Sequence, residues 1–348
     1  MRFGLHYSLQ SPNQKWEFMY QESLQQVILA EKLGFDCVMF AEHHLLRDGW
    51  IPSPNLMCAA AAAVTSRIRL GTDILIIPFN HPIRAAEEAA VIDTLSGGRY
   101  ILGLGLGVFP KEFDSFQLSL KERGSRAEES IPLIRRLLTE TNVSHSGRYY
   151  QFKDVTITPR PVQKNMPIWV GAIEEPAIRR AARLGDAWIP SQIPPFELMR
   201  KQYKIYREAY EESGKGDEVP YEMIEHPLRE EAYLAENTEQ AWKDVEAAML
   251  YEYGEVYYKE SRIQAEDGHY IKPGEIPIED AMKLLRKRFI VGGPDEFISE
   301  VERYERELGV DLMLFRIQLP GLEHWKVVKS IQLIAEKVMP YFAADNRK

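Results

Sequence analysis

Residues 33–44 read Leu33-Gly34-Phe35-Asp36-Cys37-Val38-Met39-Phe40-Ala41-Glu42-His43-His44. They hold one full copy of the unit from which the chain is built. An amphipathic stretch ends at Leu33, and Gly34 tolerates the left-handed conformation that closes a helix. Phe35-Asp36 then leads into 37–41, a short apolar run of the kind that forms a buried parallel strand. The same helix-to-strand turn returns at Leu184-Gly185-Asp186-Ala187 and at Leu308-Gly309-Val310-Asp311. Working outward, strands are expected at 2–7, 37–41, 68–77, 100–104, 168–172, 187–190, 229–234 and 311–317. Helices are expected at 19–33, 55–65, 82–95, 126–139, 176–184, 196–212, 238–251, 295–308 and 322–338. Eight strand-then-helix units with such turns favour an α/β fold of the (β/α)8 TIM-barrel class over a doubly wound sheet.

Two segments break the rhythm. Residues 105–125, after the fourth strand, and 253–290, before the last strand–helix unit, are too long for ordinary connections. The second carries Tyr253, Tyr257, Tyr258, Tyr270 and Phe289, and reads either as a lid or as a packing or dimer element. No Gly/Ser- or Pro-rich linker divides the chain, so 1–348 is expected to be a single domain.

Composition narrows the function. A net charge of −9 without a basic stripe makes nucleic acid and anionic membranes poor partners. The longest apolar run, 56–64, is too short to span a bilayer, and the N-terminal decapeptide has no signal-peptide core. The cysteines, Cys37 and Cys58, lie in apolar segments and read as reduced core residues, which suits the cytoplasm.

The active site of such a barrel is built at the C-terminal ends of its strands, so polar residues there are candidates. Strand side chains alternate, so His43 and His44 face different ways. That argues against a metal held by both, and no metal is expected. One histidine in the barrel mouth suits proton transfer; the plainer alternative is that one satisfies backbone groups and the other is exposed. Asp73, inside the third strand, needs a partner, and an ion pair with Arg99 is one reading. The alternate glycines Gly103, Gly105 and Gly107 allow close approach of a ligand ring or another backbone, but they are not a dinucleotide fingerprint. After the fifth strand, Pro176 fits a helix start whose N–H groups can take a phosphate, although Glu174 and Glu175 would compete with the anion unless they point away.

Glu42-His43-His44, GTDILIIPFNHPIRAAEE (71–88), LSGGRYILGLGLG (95–107), PIWVGA (167–172), AARLGDAWI (181–189) and VGGPDEFISEVERYERELGVDLMLFR (291–316) come in that order. Together they resemble the bacterial-luciferase-like flavin monooxygenases over positions 1 to about 342, with 253–290 matching least. The resemblance implies a luciferase-like barrel, usually dimeric, that holds reduced FMN at its C-terminal rim. It places the family's active-site histidine on His43, where it would support the flavin C4a-hydroperoxide or transfer a proton. It places the family's non-proline cis peptide on Asp73-Ile74, its phosphate-binding backbone on Ile173, Glu174 and Ala177, and a cofactor-reaching arginine on Arg126. Gly105, Gly171 and Ala172 complete the expected cofactor-binding set. Two departures stand out. Gly105 replaces a reactive cysteine of the luciferase catalytic subunit, and Leu106 replaces its phosphate-binding arginine. Arg126, helped by Arg179 or Arg180, is expected to supply the missing cation.

The function implied is a two-component monooxygenase. A separate flavin reductase delivers reduced FMN, and the peroxide formed with O2 oxygenates a small organic substrate. The alternatives are a hydride-transferring enzyme using the deazaflavin F420 on the same fold, and a non-catalytic flavin-binding partner subunit.

Overall fold

The computed structural model describes residues 1–13 and 15–343. Strands and helices alternate along the chain. The strands are β1 (Arg2–Tyr7), β2 (Cys37–Phe40), β3 (Arg69–Thr72), β4 (Leu75–Ile76), β5 (Tyr100–Gly105), β6 (Val143–Ser146), β7 (Gln151–Val155), β8 (Ile168–Ala172), β9 (Ala187–Pro190), β10 (Pro227–Leu234), β11 (Ile290–Gly292) and β12 (Leu312–Arg316). The helices are α1 (Trp16–Leu33), α2 (Pro54–Val64), α3 (Pro82–Ser96), α4 (Pro110–Ser115), α5 (Arg123–Thr139), α6 (Glu175–Leu184), α7 (Phe196–Glu212), α8 (Thr238–Met249), α9 (Ile278–Arg286), α10 (Pro294–Leu308), α11 (His324–Leu333) and α12 (Met339–Phe342). Two compact units emerge, one of residues 1–36, 190–205 and 225 onward, the other of 37–189 and 206–224.

In the first unit the strand order is β11-β10-β12-β1, with parallel pairing throughout. Phe315 stacks on Phe3 with ring centroids 5.7 Å apart, and Phe297 of α10 meets Phe315 edge-on. In the second unit the order is β2-β3-β5-β8-β9, with β4 also on β5. The registers Leu70↔Tyr100 and Leu102↔Ile168 are parallel. Ala85, Ala86, Ala89 and Ala90 of α3 are fully buried; small side chains at this spacing give the helix a flat buried face.

Gly34 and Gly309 close their helices in the left-handed conformation, at φ 89° and 73°. Gly185 corrects the expectation. Its φ of −92° is extended, and glycine is needed there because a Cβ would press on Val170, Ala181 and Ala187. The continuous strand expected over 68–77 is also corrected. It divides into β3 and β4 around a cis peptide between Asp73 and Ile74, and then turns into a 3-10 helix at Ile77–Phe79. The expected helix at 238–251 becomes α8 followed by a π-helical stretch, Leu250–Tyr258.

Candidate active site

The second unit carries the residues singled out by the sequence. β2 ends at Phe40 and leaves Glu42-His43-His44 on the connection that follows. His43 Nδ1 lies 3.1 Å from Oε1 of Glu112 in α4, and the backbone N–H of His44 donates to the same oxygen at 2.6 Å. Glu112 is 1% exposed, and its Oε2 has no hydrogen-bond partner among the described residues. The His43 ring is held edge-on by Trp50 (4.5 Å between centroids) and tilted against Phe109 (4.7 Å). Its Nε2 makes no hydrogen bond among the described residues.

His44 takes different partners. Its Nε2 sits 2.8 Å from Glu42 Oε1, and its ring meets Phe116 and Phe79 edge-on. The other oxygen of Glu42 accepts the N–H of Ile76. Burial pushes the Glu42 carboxyl up, opposed by the hydrogen bonds from His44 and Ile76. Each histidine thus has its own carboxylate, although both lie past the end of β2, where strand alternation no longer sets their directions. Glu42 also ties His44 to the segment just past the cis peptide.

Asp73 N–H donates to Phe40 O at 2.9 Å. Arg99, one candidate partner for its carboxylate, is misplaced for that role. The register Leu70↔Tyr100 sets Arg99 beside Arg69, at the other end of β3. Its guanidinium donates to the carbonyls of Ser96, Ile68, Ala62 and Thr65. The alternate glycines accommodate the protein itself. A Cβ on Gly103 would collide with the carbonyl oxygen of Thr72, and one on Gly105 would come within 2.5 Å of Ile74 Cδ1. From β8, a Cβ on Gly171 would meet Ile74 Cγ2 at 2.9 Å. The bed left by Gly105 and Gly171 is therefore filled by Ile74. Ala172, next along β8, accepts the indole N–H of Trp188 at its carbonyl.

Ile173 and Glu174 lead into α6, which has Pro176 in its first turn. The N–H of Ala177, expected as a phosphate donor, closes that turn on Glu174 O at 2.8 Å instead. Glu175 points away from the helix start, to Arg179 at 2.9 Å. Among the expected cations, Arg179 is exposed between Glu175 and Glu212, and Arg180 pairs with Glu128. Arg126 differs from both. Its guanidinium stacks 4.3 Å over the Tyr149 ring and reaches Glu122 only at 3.4 Å, and its buried Nε has no acceptor among the described residues. Tyr149 arrives from the turn between β6 and β7, with its hydroxyl 2.6 Å from Ser125 Oγ.

Sequence reasoning missed Glu112, Trp50 and Tyr149. For Glu112 a signal existed. Phe109, Phe113 and Phe116 are spaced as one helical face, and Glu112 is the single charge inside that stripe.

A family model described as luciferase-like monooxygenase matches residues 1–312. The chain belongs to this family. The oxygenase component of a flavin-dependent trigonelline monooxygenase from Acinetobacter baylyi is 28% identical, over 99% of this chain and 96% of its own. An F420-dependent glucose-6-phosphate dehydrogenase from Amycolatopsis mediterranei is also 28% identical, over 86% of this chain and 89% of its own. Monooxygenase RslO1 from Streptomyces bottropensis superposes with a TM-score of 0.85 at 28% identity, over 99% of this chain and 100% of that one. The luciferase-like α/β fold of the TIM-barrel class, expected from the motifs, is therefore the fold of this chain, and the chain is an oxidoreductase of the luciferase-like family. Among the described residues, no helix is long and apolar enough to cross a membrane.

Proposed function

We propose that this chain is the oxygenase component of a two-component flavin monooxygenase, taking FMN reduced by a separate reductase and using O2 to oxygenate a small organic substrate. One observation carries the reading: His43 is held at Nδ1 with Nε2 open, in a chain that aligns end to end with a flavin-dependent oxygenase component. Reduced FMN, when bound, supplies the electrons that activate O2.

The residues fit such a group. Ile74, next to Asp73 and seated on Gly105 and Gly171, offers an apolar bed for a ring, with Ala172 next along β8. The start of α6, after Ile173 and Glu174, offers backbone to a phosphate, with the Ala177 N–H already engaged by Glu174 O. The acceptorless Nε of Arg126 suits an anion and compensates for Leu106, which brings no charge. His43 holds or moves a proton at Nε2, while Trp50 and Phe109 keep water from its ring. The working enzyme is a homodimer of single-domain chains (1–348) in the cytoplasm.

The test is O2 uptake coupled to conversion of candidate organic substrates, with reduced FMN supplied by a flavin reductase. The wild type is expected to turn over and His43→Ala to lose at least about a hundredfold, the usual scale of acid–base assistance. Full turnover in His43→Ala would remove His43 from the chemistry. Tight F420 binding without O2 uptake would replace this reading with hydride transfer, in line with the F420-dependent relative.

A further inference from the structure

We infer that Glu112 is the positioning residue that fixes His43 in the tautomer protonated at Nδ1, so that Nε2 is presented as a proton acceptor. The hydrogen bonds around one oxygen determine this. Glu112 Oε1 takes the backbone N–H of His44 at 2.6 Å, and a backbone N–H can only donate. Oε1 is therefore an acceptor in that bond, and an ionised carboxylate has only lone pairs to offer a second partner as well. His43 Nδ1, 3.1 Å from the same Oε1, must then donate. A neutral imidazole carries one N–H, so the lone pair is left on Nε2.

The carboxylate is well placed to enforce this state. Glu112 is buried on a helix face whose aromatic neighbours Phe109 and Phe113 are themselves buried. The His43 ring is confined by Trp50 on one side and Phe109 on another, which restricts a ring flip that would exchange the nitrogens. Satisfying the His44 N–H alone would not need a buried carboxylate; the second bond, to an imidazole, gives the charge a use.

The consequence for chemistry rests on the proposed function. An O–H or N–H of a bound molecule gives its proton to Nε2, leaving the electron pair on its own heteroatom. The imidazolium formed lies against Glu112, which takes no proton itself, and Nε2 later returns the proton to the product. His43 is in this sense a base at rest and an acid only after it has been loaded.

Nitrogen-15 NMR of the full chain, labelled at histidine, tests the inference without any cofactor, with His43 assigned by its loss in His43→Gln. Above the imidazole titration, the wild type is expected to show a protonated Nδ1 and a bare Nε2. Glu112→Ala should move the population toward the Nε2–H form and lower O2-coupled turnover by about tenfold or more. Glu112→Gln keeps an oxygen acceptor and should keep the tautomer while removing the charge. An Nε2–H tautomer in the wild type, or an unchanged ratio in Glu112→Ala, overturns the inference. If Glu112→Ala does not fold, the wild-type and Glu112→Gln spectra still decide. A correct tautomer in a chain with no O2-coupled turnover would leave this assignment standing and sink the monooxygenase reading instead.

Discussion

His43 and His44 are adjacent residues of one type, and the backbone gives them different work. On the connection after β2 their side chains part, and each meets its own buried carboxylate, Glu112 for the first and Glu42 for the second. The separation was expected from the sequence, although its stated reason, strand alternation, does not reach past the end of β2; the choice of His43 and the cis peptide at Asp73-Ile74 were legible through the family resemblance. The pairing of His43 with Glu112 was not legible, because the two lie 69 residues apart and the periodicity of one segment does not report long-range pairing. Arg126 is the residue whose role is most cleanly separable from the ring chemistry. Its unaccepted Nε should engage a phosphate through a charge-assisted hydrogen bond, worth roughly 1.5–3 kcal/mol. Arg126→Ala should therefore weaken reduced FMN about 10- to 100-fold in an anaerobic titration. Riboflavin, which lacks the phosphate, should bind equally to both proteins. Equal FMN affinities would remove Arg126 from the cofactor site.

At the scale of elements, the strands with continuous apolar runs were readable, and the ones that face water on both sides were not. The β6–β7 hairpin has half-exposed and exposed residues at most of its positions, so it carries neither a buried run nor a clean alternation. Its turn is instead fixed by one side chain of α5. Glu129 accepts the backbone N–H groups of Arg148, Tyr149 and Tyr150 and lies 3.0 Å from His145 Nε2. These hydrogen bonds from His145 and the backbone hold the Glu129 carboxyl below its usual range, against the opposing pull of burial. A depressed carboxyl contributes stability above its unfolded value, about 4.3, and loses it as the pH falls through the lower folded value. Amide exchange at 148–150 should accordingly accelerate relative to the core strands as the pH drops below about 4. In Glu129→Gln that relative change should disappear. Because the turn delivers Tyr149 to Arg126, the variant should also weaken FMN binding. The segment 253–290, read as either lid or packing element, places Tyr253 and Tyr257 inside the first unit. Tyr253 stands against Phe289 and donates to Glu231. The sequence could not choose between the readings because tyrosine suits both.

For the molecule as a whole, the strand–helix alternation and the ordered motifs were enough to read the fold class. The long-range charge pairing was not readable. Arg316, at the end of β12, donates to Glu231 and Glu252 and to Ser8 and Gln10, and the side chains of Arg316, Glu231 and Glu252 are at most 2% exposed. Removing one partner of such a cluster strands the others, so Arg316→Leu should cost about 3–5 kcal/mol in denaturant unfolding. Burial pushes the Glu252 carboxyl up to about 7 despite Arg316. The folded chain thus keeps a proton that the unfolded chain releases near 4.3. Its contribution to stability is full below that value, declines as the pH rises toward about 7 and levels off above. Glu252→Gln should flatten that slope; an unchanged slope would assign it to other groups.

Relatives of this chain include a flavin-dependent oxygenase component and an F420-dependent dehydrogenase, so the cofactor that this chain holds separates oxygenation from hydride transfer. Anaerobic equilibrium titration of the purified chain with reduced FMN and with F420 decides it. Reduced FMN is expected to bind saturably and at least tenfold more tightly than F420. Tighter binding of F420 would contradict the monooxygenase reading.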